Sequence, residues 1–120
     1  MVHSELSSVG GEAAARALLS DETVTALLCA NDTLALGAMA ACKRAGRTVG
    51  RAGGVSVIGY GNTEAGRYSD PALTTVDYSI EDNGRHLGQT LLRLLAGTPA
   101  RTLQQLEGVR LLVRESDHQV

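Results

Sequence analysis

Apolar residues along this chain come in short runs with polar or glycine-rich borders, and the borders say as much as the runs. Val24 to Ala30 is apolar apart from Thr25, a length suited to a strand buried on both faces. Asn31 and Asp32 end it, and both residue types favour helix N-caps, where a short side-chain oxygen accepts from an unpaired first-turn amide. The spacing predicts a helix from Thr33 to Ala45, with Lys43 and Arg44 at the negative end of its dipole and Gly46 beyond. Gly37, Ala38, Ala40 and Ala41 leave that helix little bulk, so its backbone can press against a neighbour. A glycine-rich loop then leads to a second strand, Val55 to Tyr60. Strand, helix and strand in this order make a right-handed βαβ unit with parallel pairing, the unit of an α/β doubly wound sheet.

Outside that unit the pattern predicts a short helix from Glu12 to Leu19, with Gly10 and Gly11 before it. A third strand is expected from Leu73 to Tyr78, after the turn pair Asp70-Pro71. Ser79 is the expected cap of a long helix from Ile80 to Ala96. Its apolar positions Ile80, Leu87, Leu91, Leu94 and Leu95 follow helical spacing, and Gly97 and Pro99 stop it. From Leu106 to Arg114, Val109, Leu111 and Val113 alternate with Arg110 and Arg114 in a strand pattern broken only by Leu112.

With 43% hydrophobic and 20% charged residues, the 120-residue chain fits one globular unit. It has no Trp or Phe and three Tyr, so the core must be aliphatic. A net charge of −2 with scattered basic residues lacks the stripe that a nucleic-acid surface needs. Cys29 and Cys42 form no CxxC and read as free thiols, which points to a reducing compartment. No apolar run approaches a membrane span and the N-terminus carries no export signal, so a cytoplasmic protein without membrane contact is expected.

Catalytic and cofactor patterns find little support. Gly59, Gly61 and Gly66 do not make G-x-G-x-x-G. His3, His86 and His118 are too dispersed for a metal cluster. Ser79 and His86 lie two helical turns apart without a nucleophile elbow or an orienting Asp. No catalytic residue, metal or cofactor is predicted, and the chain is not read as an enzyme.

Ala30-Asn-Asp-Thr-Leu-Ala-Leu-Gly-Ala-Met39, Val55-Ser-Val-Ile-Gly-Tyr60, Pro71-Ala-Leu-Thr-Thr-Val76, a helix near Gly84 and Leu112-Val-Arg-Glu-Ser116 follow one another here. In that order they resemble the lactose-repressor (LacI) family of transcription regulators. The resemblance covers about residues 10 to 116 and implies the C-terminal part of a periplasmic-binding-protein-like type I effector-binding core, an incomplete α/β fragment with parallel βαβ units. It implies that residues 23–77 belong largely to the C-terminal lobe. Residues 78–120 would then supply a crossover, a helix of the other lobe and a returning strand. The DNA-reading helix-turn-helix would lie upstream, so DNA is a partner only through a domain outside this chain. A small-molecule effector and a homo-oligomer are the expected partners, with Thr63 to Asp70 placed where relatives form subunit contacts.

Ligands of open parallel sheets bind outside the carboxyl ends of the strands. The resemblance accordingly implies effector contacts at Asn31, Gly61, Tyr78 and Ile80, with Asn31 able to donate and accept. Asn31 as a simple helix cap is the alternative, and Asp32 is read as a cap. Tyr78 and Ile80 can equally be ordinary packed side chains. Gly61 stands where the family usually carries Asp, so weak binding of common sugars is expected and Gly61→Asp is expected to raise affinity. The function implied is effector-controlled DNA binding through lobe closure; the alternative is part of a soluble sugar receptor of a transporter.

Overall fold

The computed structural model of the chain describes residues 1–106 and 108–118. Helix α1 runs Ser8–Leu18, capped by Ser7, whose Oγ accepts from the Gly10 amide at 3.0 Å. It starts earlier than Glu12 and takes in both glycines expected to precede it. The cause is tertiary. A Cβ on Gly11 would come 2.3 Å from the Leu34 carbonyl oxygen, and one on Gly37 would come 2.1 Å from that of Ser8. Helices α1 and α2 (Asp32–Arg44) therefore meet backbone to backbone, an approach open only to glycine. Glu12 pairs with Arg16 on its own helix and with Arg44 on α2.

Helix α2 is punctuated as its sequence predicts. Asn31 caps it, Gly46 follows its end at φ +70°, and Arg47 N donates to Cys42 O at 2.9 Å in a Schellman closure. Strands β1 (Ala26–Leu28), β2 (Ser56–Tyr60) and β3 (Thr74–Asp77) are parallel, and β4 (Arg110–Leu112) pairs antiparallel with β3. The sheet order is β1-β2-β3-β4. A four-residue helix α3 (Glu64–Arg67) lies between β2 and β3, in a stretch whose sequence reads as loop and turn. The long helix α4 spans Ile80–Leu95. The mixed, mostly parallel sheet agrees with the α/β arrangement that the resemblance implies.

Leu27, Val55, Val57 and Leu73 pack with Ala35, Ala38, Met39 and Cys42, an aliphatic core between the sheet and α2. The opposite face of the sheet is uncovered. In the register, Leu28, Ile58, Tyr60, Val76 and Leu111 share that face, and Leu28 is 81% exposed. Burial of β1 on both faces is therefore corrected: one face packs and the other is bare, because among the described residues no element crosses it. Helix α4 likewise has no buried residue, although its apolar stripe follows helical spacing. The chain is elongated, 57 × 25 × 22 Å, with a radius of gyration of 17.4 Å, against about 14 Å expected for a compact domain of this length.

Two further expectations are corrected. Ser79 does not cap α4 through its side chain: it sits in the left-handed region at φ 52°, and its amide donates to the Asp77 carboxylate instead. The tail strand is shorter than Leu106 to Arg114, and Glu107 within that span lies outside the described residues. Beyond β4 the chain turns inward. Buried Ser116 lies between β2 and β3 below their ladder: its carbonyl accepts from Val57 N (2.7 Å), and its hydroxyl donates to Val57 O (2.6 Å) and accepts from Thr74 N (2.8 Å).

Candidate functional site

Parallel pairing of β1, β2 and β3 brings their carboxyl ends to one edge of the sheet. Asn31, Gly61 and Tyr78 follow those three ends in order, so the fold gathers three of the four residues expected from sequence along one rim. Ile80 opens α4 beside them and is 61% exposed.

Asn31 is half-buried and extended, and its Oδ1 accepts from Leu34 N at 2.8 Å. It is thus the α2 cap. The cap uses only the oxygen, and among the described residues Nδ2 has no protein partner, so a donor remains for a ligand. Gly61 donates its amide to Val76 O at 2.8 Å and has φ +131°, a conformation L side chains rarely adopt. Any side chain at this position, the Gly61→Asp exchange included, carries backbone strain. Tyr78 is half-buried and stacks on Tyr60, ring centroids 5.1 Å apart.

Sequence reasoning missed the polar layer beneath this rim. Asp32 does not cap α2; it is fully buried and accepts from Thr63 N (2.6 Å), Thr63 Oγ1 (3.0 Å) and Thr75 Oγ1 (2.5 Å). Asn62 is left-handed at φ 52°, donates its amide to Thr75 Oγ1 (3.3 Å), and its Oδ1 accepts from Arg114 Nη2 (2.6 Å). Arg114 Nη1 also reaches Leu73 O at 2.7 Å. Asp77 accepts from Ser79 N (2.9 Å) and Arg110 Nη2 (2.9 Å). The Ser79 amide first, then the Arg110 guanidinium, hold its carboxyl below the usual aspartate range. The only sequence signal for this layer is the alternation that puts Arg110 and Arg114 opposite the apolar face of β4.

Neither thiol suits nucleophilic chemistry: burial pushes Cys29 up to about 11 and raises Cys42 as well. Among the described residues no group of His, Cys, Asp and Glu could hold a metal ion, and no helix is long and apolar enough to cross a membrane. Away from the rim, a depression of about 570 Å³ lies between α2 and the loop before β3, floored by Leu36, Met39, Ala40 and Pro71.

Comparison with known proteins places this geometry. The family described as periplasmic binding protein-like domain matches residues 1–116. The HTH-type transcriptional regulator MalR of Streptomyces coelicolor is 38% identical over 114 residues, 95% of this chain and 32% of that protein. The lactose operon repressor of Klebsiella pneumoniae is 36% identical over 93 residues, 78% of this chain and 25% of that one. The chain thus spans about a third or less of the length of these relatives. Among solved structures, a LacI family transcriptional regulator from Arthrobacter sp. FB24 in complex with lactose superimposes with TM-score 0.85 at 29% identity, over 95% of this chain and 43% of that one. The Lac repressor dimer bound to operator and the anti-inducer ONPF gives 0.81 at 31% identity, over 97% of this chain and 40% of that one. All four are transcriptional regulators or repressors by name.

Proposed function

The chain belongs to the periplasmic binding protein-like domain family, in its LacI-type regulator branch, and from that premise we propose that it binds a sugar-like effector and contributes to subunit assembly. The observation that carries the reading is the rim itself: three parallel strand ends present Asn31, Gly61 and Tyr78 side by side, with the Asn31 amide unpaired. An amide donor and a tyrosine ring suit a polyhydroxylated ring, whose edge bonds and whose face packs. Residues 23–77 form the C-terminal lobe in this reading. The segment from Tyr78 crosses over, α4 serves the other lobe, and β4 returns. In the intact regulator, effector-driven closure of the two lobes shifts the spacing of DNA-binding heads carried elsewhere.

Calorimetry with lactose and with maltose tests the effector role. Weak binding by the unaltered chain and its loss in Asn31→Ala are expected, since the substitution removes the free donor along with the α2 cap. Equal binding by both would remove Asn31 from the site. For assembly, the depression flanked by α2 and the Ser69–Pro71 turn, with an apolar floor and Lys43, Arg47, Arg51 and Asp70 also lining it, is the proposed subunit contact. Light scattering should show a dimer that Ala40→Asp, at a position lining the depression and outside the core, converts to a monomer; a native monomer would refute the assembly role.

A further inference from the structure

We propose that Asp32 is the positioning residue of the candidate site: without touching effector, it fixes the Gly61–Thr63 loop against the loop carrying Asn31. What the loops are for rests on the reading above; what holds them rests on geometry alone. Asn31 already caps α2, so Asp32, the next residue, is not needed for that task and spends all three of its bonds outside its own helix. Its side chain is completely buried, and among the described residues no cation pairs with it. A carboxylate so placed persists only when both oxygens are hydrogen-bonded.

Both are. Oδ2 takes the amide and hydroxyl of Thr63, and Oδ1 takes the hydroxyl of Thr75, which in turn accepts the Asn62 amide. The two residues after Gly61 are thus held by one carboxylate, directly at Thr63 and through Thr75 at Asn62. The fold also makes room for it: a Cβ on Gly59 would lie 2.3 Å from Asp32 Oδ1, and one on Gly66 would lie 3.3 Å from Oδ2. Thr63 is otherwise exposed, so its amide depends on Asp32 for shelter.

Amide hydrogen exchange on the unliganded chain, followed by NMR, reads the positioning without any effector. Asp32→Asn is expected to speed exchange at Asn62 and Thr63 about tenfold or more beyond any change at Cys29 and Val57. Leu27→Ala, a core lesion, should speed all four alike. Thr75→Val, which removes one partner and keeps the fold, should reproduce the Asn62 effect if Asp32→Asn unfolds. With lactose as probe, the Kd per folded molecule should rise about tenfold in Asp32→Asn and stay within about twofold in Leu27→Ala and Thr75→Ser. If the unaltered chain binds no lactose, the effector reading fails on that ligand while the exchange data still decide the positioning. Uniform exchange changes in Asp32→Asn and Thr75→Val, or unchanged lactose affinity in Asp32→Asn, would overturn the proposal.

Discussion

The stretch from α1 to β3 is poorer in leucine and valine than the stretch from α4 to β4, 13 of 70 residues against 10 of 33, yet only the first buries them. In the first, Ala35, Cys42, Val55, Val57 and Leu73 are fully buried. In the second, Leu87, Leu91, Leu95 and Leu111 are each more than half exposed. The difference lies in partners and not in amphipathicity, since α4 carries a clear apolar stripe. Helical pattern encodes which face wants cover; it does not supply the cover. What ties the second stretch and the residues just after it to the first is polar: Arg110 to Asp77, Arg114 to Asn62 and Leu73, and Ser116 to the β2–β3 seam.

If stability resides in the first stretch, Leu73→Ala should give the largest loss, about 2–5 kcal/mol in urea unfolding followed by circular dichroism. A loss below about 1 kcal/mol would show that this body is not the cooperative unit. Next comes Gly37→Ala, where the added methyl meets the Ser8 carbonyl. Separation of α1 from α2 should cost about 1–3 kcal/mol, readable in the same assay.

Acid should then loosen the second stretch before the first. Because the folded Asp77 carboxyl lies below its ordinary value, its stabilising tie is complete above the unfolded aspartate pKa and is lost as pH falls through the lower, folded one. Protection of the Arg110 and Leu111 amides, measured against the intrinsic exchange rate at each pH, should fall in that acid window while that of Val57 holds; parallel behaviour would erase the distinction. Smallest of all, Leu87→Ser, at a position 67% exposed, should change monomer stability by less than about 0.5 kcal/mol. A loss several times larger would mean that α4 is covered in solution.

Much of the fold was legible because its punctuation is local. Asn31, Gly46 and Gly97 mark helix ends through backbone chemistry that needs no tertiary partner, and α2 and α4 fall within a residue or so of their expected limits. Gly10 and Gly11 misled for the opposite reason: their low helix propensity is overridden by a close crossing with α2 that only the three-dimensional structure reveals. The rim was legible through topology, since parallel strands must end on one edge. Its underlayer was not. Asp32, next to a strong cap residue, carries the same local signal as a second cap, and only Thr63 and Thr75, 31 and 43 residues away, distinguish the two roles.

The seam at Ser116 also bears on the order in which the molecule is made. Val57 gives and receives hydrogen bonds with a residue 59 positions later, so the lower half of the β2–β3 contact stays open to water until Ser116 itself has left the ribosome. Closing so long a loop is entropically slow, and contacts of such sequence separation form late. Synthesis of this segment therefore passes through a stage in which α1, α2 and the upper sheet can assemble while two strand backbones below remain unpaired and open to association with other chains. The arrival of Ser116 closes that gap.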